Sequence, residues 1–107
     1  MPEPVYSQRL LSAKGASGTA TYIVPAGYVV VIRCLDMYAS VTAAADLFLQ
    51  GEVGQAIMWQ HWPINGQAHA QWQGRHAFKA GEGVTVTASV GPIDGIDYTL
   101  FGYVLTA

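Results

Sequence analysis

Residues 22–39 read YIVPAGYVVVIRCLDMYA: a strand, a turn and a longer apolar strand. The break falls at Pro25-Ala26-Gly27. Proline presets one turn dihedral and glycine is free to take positive φ, so a tight turn is expected there. Taken in strict alternation after the turn, one face carries Val29, Val31, Arg33, Leu35 and Met37. The other carries Tyr28, Val30, Ile32, Cys34, Asp36 and Tyr38. Both faces are largely apolar, which predicts a central strand covered on both sides. In a two-layer domain only one side meets the core. The second side is then expected to face an assembly contact or a loop folded over it.

The same punctuation recurs at residues 78–83, FKAGEG, running into Val84-Thr85-Val86-Thr87. Further alternating segments lie at 5–12, 19–24, 46–50, 55–60, 68–78, 84–90 and 98–106. Glycine, proline and Asn65-Gly66 separate them, and residues 40–45 read as a short helical turn or a loop. No amphipathic helix stands out. About eight strands predict an all-β, single-domain β-sandwich, with a jelly-roll-like arrangement. The immunoglobulin alternative lacks its Cys…Trp…Cys framework, because the chain has one cysteine. Residues 1–5, with Pro2, Glu3, Pro4 and Val5, are expected to form an extended N-terminal arm, and 6–107 the sandwich.

Composition narrows the function. Of 107 residues 51% are apolar and only 11% charged, against about 25% charged in an average soluble domain. A surface this poor in charge predicts burial against copies of the chain or a partner. A coat of Thr, Ser and Gln is the plainer account. Net charge is −2 with no basic run, so nucleic-acid binding is not expected. No signal-peptide pattern and no apolar run of membrane-spanning length is evident, so no membrane partner is expected either. Cys34 lies in an apolar strand pattern and reads as a buried, inert thiol.

Catalytic and metal chemistry find no support in the spacing. His61, His69 and His76 match no ligand pair, and a His-x-His motif from His69 would need histidine where Gln71 stands. His69 and His76 are an odd number apart and should face opposite sides of one strand. The carboxylates fall mostly beside turns, and no serine has a Gly-x-Ser-x-Gly setting. No enzyme, no cofactor and no metal is expected. The chemically distinctive segment is Trp59-Gln60-His61-Trp62-Pro63. Trp59, His61, Trp62 and Trp72 suit an intersubunit contact anchored by tryptophan. They also suit stacking on a sugar ring, with Gln60, Gln71, Gln73 and Arg75 as hydrogen-bonding partners. The expected interface set is Trp59, His61, Trp62, Trp72 and Arg75, with the arm residues Pro2, Glu3, Pro4 and Val5.

Residues 22–33, 46–50, 59–63, 71–75 and 79–86 together resemble small virion proteins of tailed bacteriophages of actinobacterial hosts, over residues 21–105. The resemblance implies a non-enzymatic viral structural protein, a capsid decoration (cement) protein or a small tail component, assembled in the host cytoplasm. It implies a homotrimeric β-sandwich whose partners are the major capsid protein or other virion proteins. It brings no defined site residue with it.

Overall fold

The computed structural model describes residues 8–51 and 55–106. The arm expected at 1–5 lies outside the described residues. Eight strands follow: β1 (Gln8–Ala16), β2 (Gly18–Ile23), β3 (Tyr28–Ser40), β4 (Ala45–Gln50), β5 (Ala56–Trp62), β6 (Gln67–Lys79), β7 (Gly83–Ser89) and β8 (Ile96–Thr106). They form two four-stranded sheets, β1-β8-β3-β6 (sheet I) and β2-β7-β4-β5 (sheet II). All pairings are antiparallel.

The order has a simple origin. The first strand pairs with the last, the second with the seventh, the third with the sixth and the fourth with the fifth. The chain is thus one long two-stranded ribbon that passes from sheet to sheet as it rolls up. Lateral pairs β3–β8 and β4–β7 close the roll. This is the jelly-roll arrangement of an eight-stranded sandwich. Segment 41–44 is a loop, without a helical turn.

Each crossing of the ribbon is tied by hydrogen bonds between its two strands. At the first, the Gly15 N–H donates to Asp97 Oδ1 at 2.6 Å. At the second, two like turns meet. Residues 25–28 and 79–82 each close on a glycine at positive φ, Gly27 at 84° and Gly81 at 85°. The Val24 N–H donates to the Glu82 carbonyl at 3.0 Å, and the Gly81 N–H to the Val24 carbonyl at 2.9 Å. At the third, the Val41 N–H donates to the Gly66 carbonyl at 2.8 Å. The repeated punctuation of the sequence is therefore a matched pair of turns bonded to each other.

Strand β3 departs from strict alternation. Ile32 pairs with Gly102 and His76, yet Cys34 pairs with Phe101 and Gln73. Against β8 the extra residue is Arg33, and such a bulge flips every side chain beyond it to the other face. Val30, Ile32, Leu35, Met37 and Ala39 therefore all enter the core. Val29, Val31, Cys34, Asp36 and Tyr38 face outward. The two mixed faces expected from the sequence are thus re-sorted into one fully buried face and one open one. Strand β1 slips at the same level, at Leu10, and again between Ala13 and Ala16, where Gly15 takes φ 63°. That second slip lets β1 run on to Ala16 instead of ending near residue 12.

Across the interlayer, Leu35, Met37, Ile96 and Leu100 of sheet I meet Leu47, Leu49, Val84, Val86 and Trp62 of sheet II. No polar or charged side chain is buried among the described residues. Gly102 marks where the slipped strands press together. A Cβ there would run into the Val31 carbonyl oxygen and lie 3.0 Å from Ile32 Cα and Leu10 Cδ1. Gly102→Ala is expected to cost about 1–3 kcal/mol through overpacking. Chemical denaturation would read this as a lower midpoint at unchanged slope; an unchanged midpoint would show that the backbone yields without cost.

Candidate functional site

The residues singled out in the sequence fall in three places. On β5, Met58, Gln60 and Trp62 point inward, and Trp59 and His61 outward. Trp62 is 1% exposed, and its indole N–H donates to the Ala68 carbonyl at 3.1 Å. Its ring is part of the core. Trp72, on the inner side of edge strand β6, packs partly buried against the core. Its ring lies over Gly74, where a Cβ would approach Cζ2 to 2.5 Å. Arg75 follows at the β6 irregularity and is exposed. Gln71 and Gln73 face outward on sheet I, where Gln71 donates to Asp36 Oδ1 at 2.6 Å and Gln73 to Gln71 Oε1 at 3.0 Å.

The outer face of sheet II gathers an aromatic group in solvent around Trp59. Trp59 is 63% exposed. It stands beside Phe48 across the β4–β5 pair, ring centroids 6.4 Å apart and planes within 8°. Asp46 Oδ1 accepts the Trp59 indole N–H at 2.8 Å and lies 2.8 Å from His61 Nδ1. A carboxylate only accepts, so Nδ1 carries the proton in this contact and Nε2 is left for other partners. The hydrogen bond from His61, then that from Trp59, holds the Asp46 carboxyl below its ordinary value. Beside this group runs a hydroxyl ladder, with Thr19 against Thr87 at 3.1 Å and Thr21 against Thr85 at 3.3 Å. The strands of sheet II contain no Lys or Arg and one acid, Asp46.

The outer face of sheet I is divided. Toward one end lie Val29, Val31, Ala77, Phe101, Tyr103 and Leu105, none of them buried. The Arg33 guanidinium lies 5.5 Å from the Tyr103 ring centroid and donates to the Gly74 carbonyl at 3.1 Å. Toward the other end the face is polar, and Asp36, Tyr38, His69, Asp97 and Thr99 line an open depression of about 160 Å³. His69 faces outward there while His76 lies on the inner side of β6, as their spacing requires. Cys34 is a correction to the sequence reading. It is half-buried on this outer face, beyond the Arg33 bulge, and not in the core. Burial, then the neighbouring Asp36 charge, raises its thiol pKa and keeps it protonated. No group of three His, Cys, Asp or Glu that could hold a metal ion occurs among the described residues.

The end of the sandwich that bears loops 41–44, 63–66 and 90–95 is braced by Asp94. Its carboxylate accepts from the Thr42 and Ala43 N–H groups, each at 3.1 Å, and from the Thr42 hydroxyl at 3.0 Å. These backbone donors lower its pKa. Ile64 and Ile93 are exposed on two of these loops, at 69% and 84%.

No protein-family model matches the chain, and neither does any curated protein. Among solved structures, a chain of the virus-like particle of the extra small virus of the giant freshwater prawn Macrobrachium rosenbergii aligns with it. The alignment covers 96% of this chain and 78% of that one, at 14% identity and a TM-score of 0.44.

The Asp46 geometry has a pH consequence. A carboxyl whose folded pKa is depressed contributes stability that is complete above its unfolded value and is lost as pH falls through the folded value. The step in the Trp59 indole N–H resonance that follows Asp46 protonation should therefore have its midpoint below the ordinary value of 3.8. In Asp46→Ala the resonance should already sit at its low-pH position near neutrality. A midpoint at or above 3.8 would contradict the bonded geometry.

Proposed function

We propose that the chain is a non-enzymatic virion structural protein, a capsid decoration protein that assembles as a homotrimer on a lattice of major capsid protein. The observation that carries this reading is the apolar strip on the outer face of sheet I. Val29, Val31, Phe101, Tyr103 and Leu105 lie side by side on adjacent central strands, and no third layer stands over them among the described residues. Such a strip is costly in water and is stabilised by burial at about 25 cal/mol per Å². Cations rim it: Arg9, Arg33 and Lys79 lie on the same sheet. A partner surface with carboxylates around an apolar centre complements it. The phage-protein resemblance of the sequence supports the decoration role and the trimer, and a small tail component is the alternative that it also implies. Cementing acts by mass action, since a ligand that binds only the assembled lattice stabilises it.

Two substitutions one residue apart test the strip. Val30 is wholly buried, so Val30→Asp places an unpartnered carboxylate in the core and should unfold the protein. Val31 faces outward, so Val31→Asp should leave the circular-dichroism spectrum intact. Light scattering after size exclusion at micromolar concentration should show a defined oligomer for the parent chain and a monomer for Val31→Asp. A parent chain that is a clean monomer, or a Val31→Asp variant that still oligomerises, removes the basis for assembly through this face. Density for the protein on the shell of an assembled particle, and not on a tail, is the outcome the decoration role requires.

A further inference from the structure

We infer that the outer face of sheet II around Trp59 is a shallow binding subsite for a neutral pyranose sugar. The fold gives no reason for Trp59 to stand in solvent. Its neighbour in sequence register, Trp62, already fills the core from the same strand. Yet Trp59 is held on several sides. Phe48 runs parallel to it, His61 lies 6.2 Å away at 54°, and Asp46 takes its indole N–H. Because that N–H is already bonded, what the residue offers to a ligand is the apolar ring itself. A fixed, exposed aromatic ring complements the C–H face of a sugar at little further entropic cost, because its rotamer is already set.

The polar groups around the ring fit the same ligand. Both bonds to Asp46 end on Oδ1, and among the described residues Oδ2 accepts none. The side chain is 29% exposed, so Oδ2 is available to ligand hydroxyls. Hydrogen bonds to an ionised acceptor are the stronger kind. Across the sheet, Thr87 pairs with Phe48 and Gln50 follows on β4, which adds hydroxyl and amide partners on the open side. Charge selects against other ligands. With no Lys or Arg on any strand of sheet II, a phosphate, sulfate or uronate would meet the Asp46 carboxylate, with His61 as the one basic side chain beside it. All five cations of the chain lie on strands of sheet I. The face is flat and not a cleft, so a single sugar should bind weakly, with Kd on the order of 1 mM, and repeated copies on an assembly would raise avidity.

The test is a titration of the intact protein with glucose, galactose, mannose and N-acetylglucosamine, separately, and with glucuronate as the anionic comparison. It is followed by the indole N–H and backbone amide resonances. At least one neutral sugar should give saturable shifts centred on Trp59, His61 and Asp46, with glucuronate weaker. Trp59→Ala should abolish these shifts and Asp46→Asn should weaken binding about tenfold or more. Asn keeps an acceptor for the indole, so that variant separates loss of the carboxylate from loss of ring placement. Lys14→Ala, at an exposed position on sheet I outside the strip, should bind as the parent does. The inference is overturned if no neutral sugar gives saturable shifts, or if shifts persist in Trp59→Ala. It is equally overturned if Trp59→Ala changes only the oligomeric state, which would make the face a protein contact. Each of these results leaves the strip on sheet I to be judged by its own substitutions.

Discussion

The reciprocal hydrogen bonds between the turns at 25–28 and 79–82 hold the two sheets in relation to each other. Each turn carries one strand of the rolled ribbon from one sheet to the other, β2 into β3 and β6 into β7. Neither turn is unusual alone. Bonded through Val24, Gly81 and Glu82, they ensure that β3 and β6 leave the crossing as neighbours and that β2 and β7 do too. Non-local pairing of this kind carries a loop-closure cost that must be met before the contacts form. A matched pair of rigid turns lowers that cost, because glycine at positive φ needs no strain to set the exit direction of each strand. The smaller ties at Gly15–Asp97 and Val41–Gly66 repeat the arrangement at the other two crossings.

Most of the strand plan was legible because alternation and turn chemistry are local. The clean Val84, Val86, Ala88 pattern and the Pro-Ala-Gly break needed no tertiary information. The faces of β3 were a different matter. The Arg33 bulge exists because β3 has to match β8 and β6 at once, with Gly102 allowing a close approach that no reading of β3 alone reveals. One extra residue moves Leu35 and Met37 to the side of Val30 and Ile32, and Cys34 out of the core. The aromatic segment was over-grouped for a simpler reason. Trp59 and Trp62 are three apart, and on a strand that spacing puts them on opposite faces. Parity alone separates the exposed ring from the core one. What parity does not give is Asp46 and Phe48, which reach Trp59 only through the β4–β5 register.

The scarcity of charge has two physical sources here. Much of the surface is covered by neutral polar ladders, the threonines of β2 and β7 and the glutamines of β6. These satisfy water without ionisation, so the composition does not by itself demand a large apolar surface. Another part is apolar, the compact strip of Val29, Val31, Phe101, Tyr103 and Leu105 together with single exposed residues such as Ile23, Ile64 and Ile93. The assembly proposed above thus draws on a specific patch of one sheet rather than on the chain's average composition.

The placement of Lys and Arg has an effect at a distance. Arg9, Lys14, Arg33, Arg75 and Lys79 all sit in one layer of the sandwich, accompanied on its strands by only Asp36 and Asp97. On their described strands the layers therefore differ in sign, five cations against two acids in sheet I and a single acid in sheet II. In the field of an acidic surface a charge distribution of this kind would favour sheet I turned inward and the Trp59 face outward. Orientation by torque of this kind would weaken as salt shortens the Debye length.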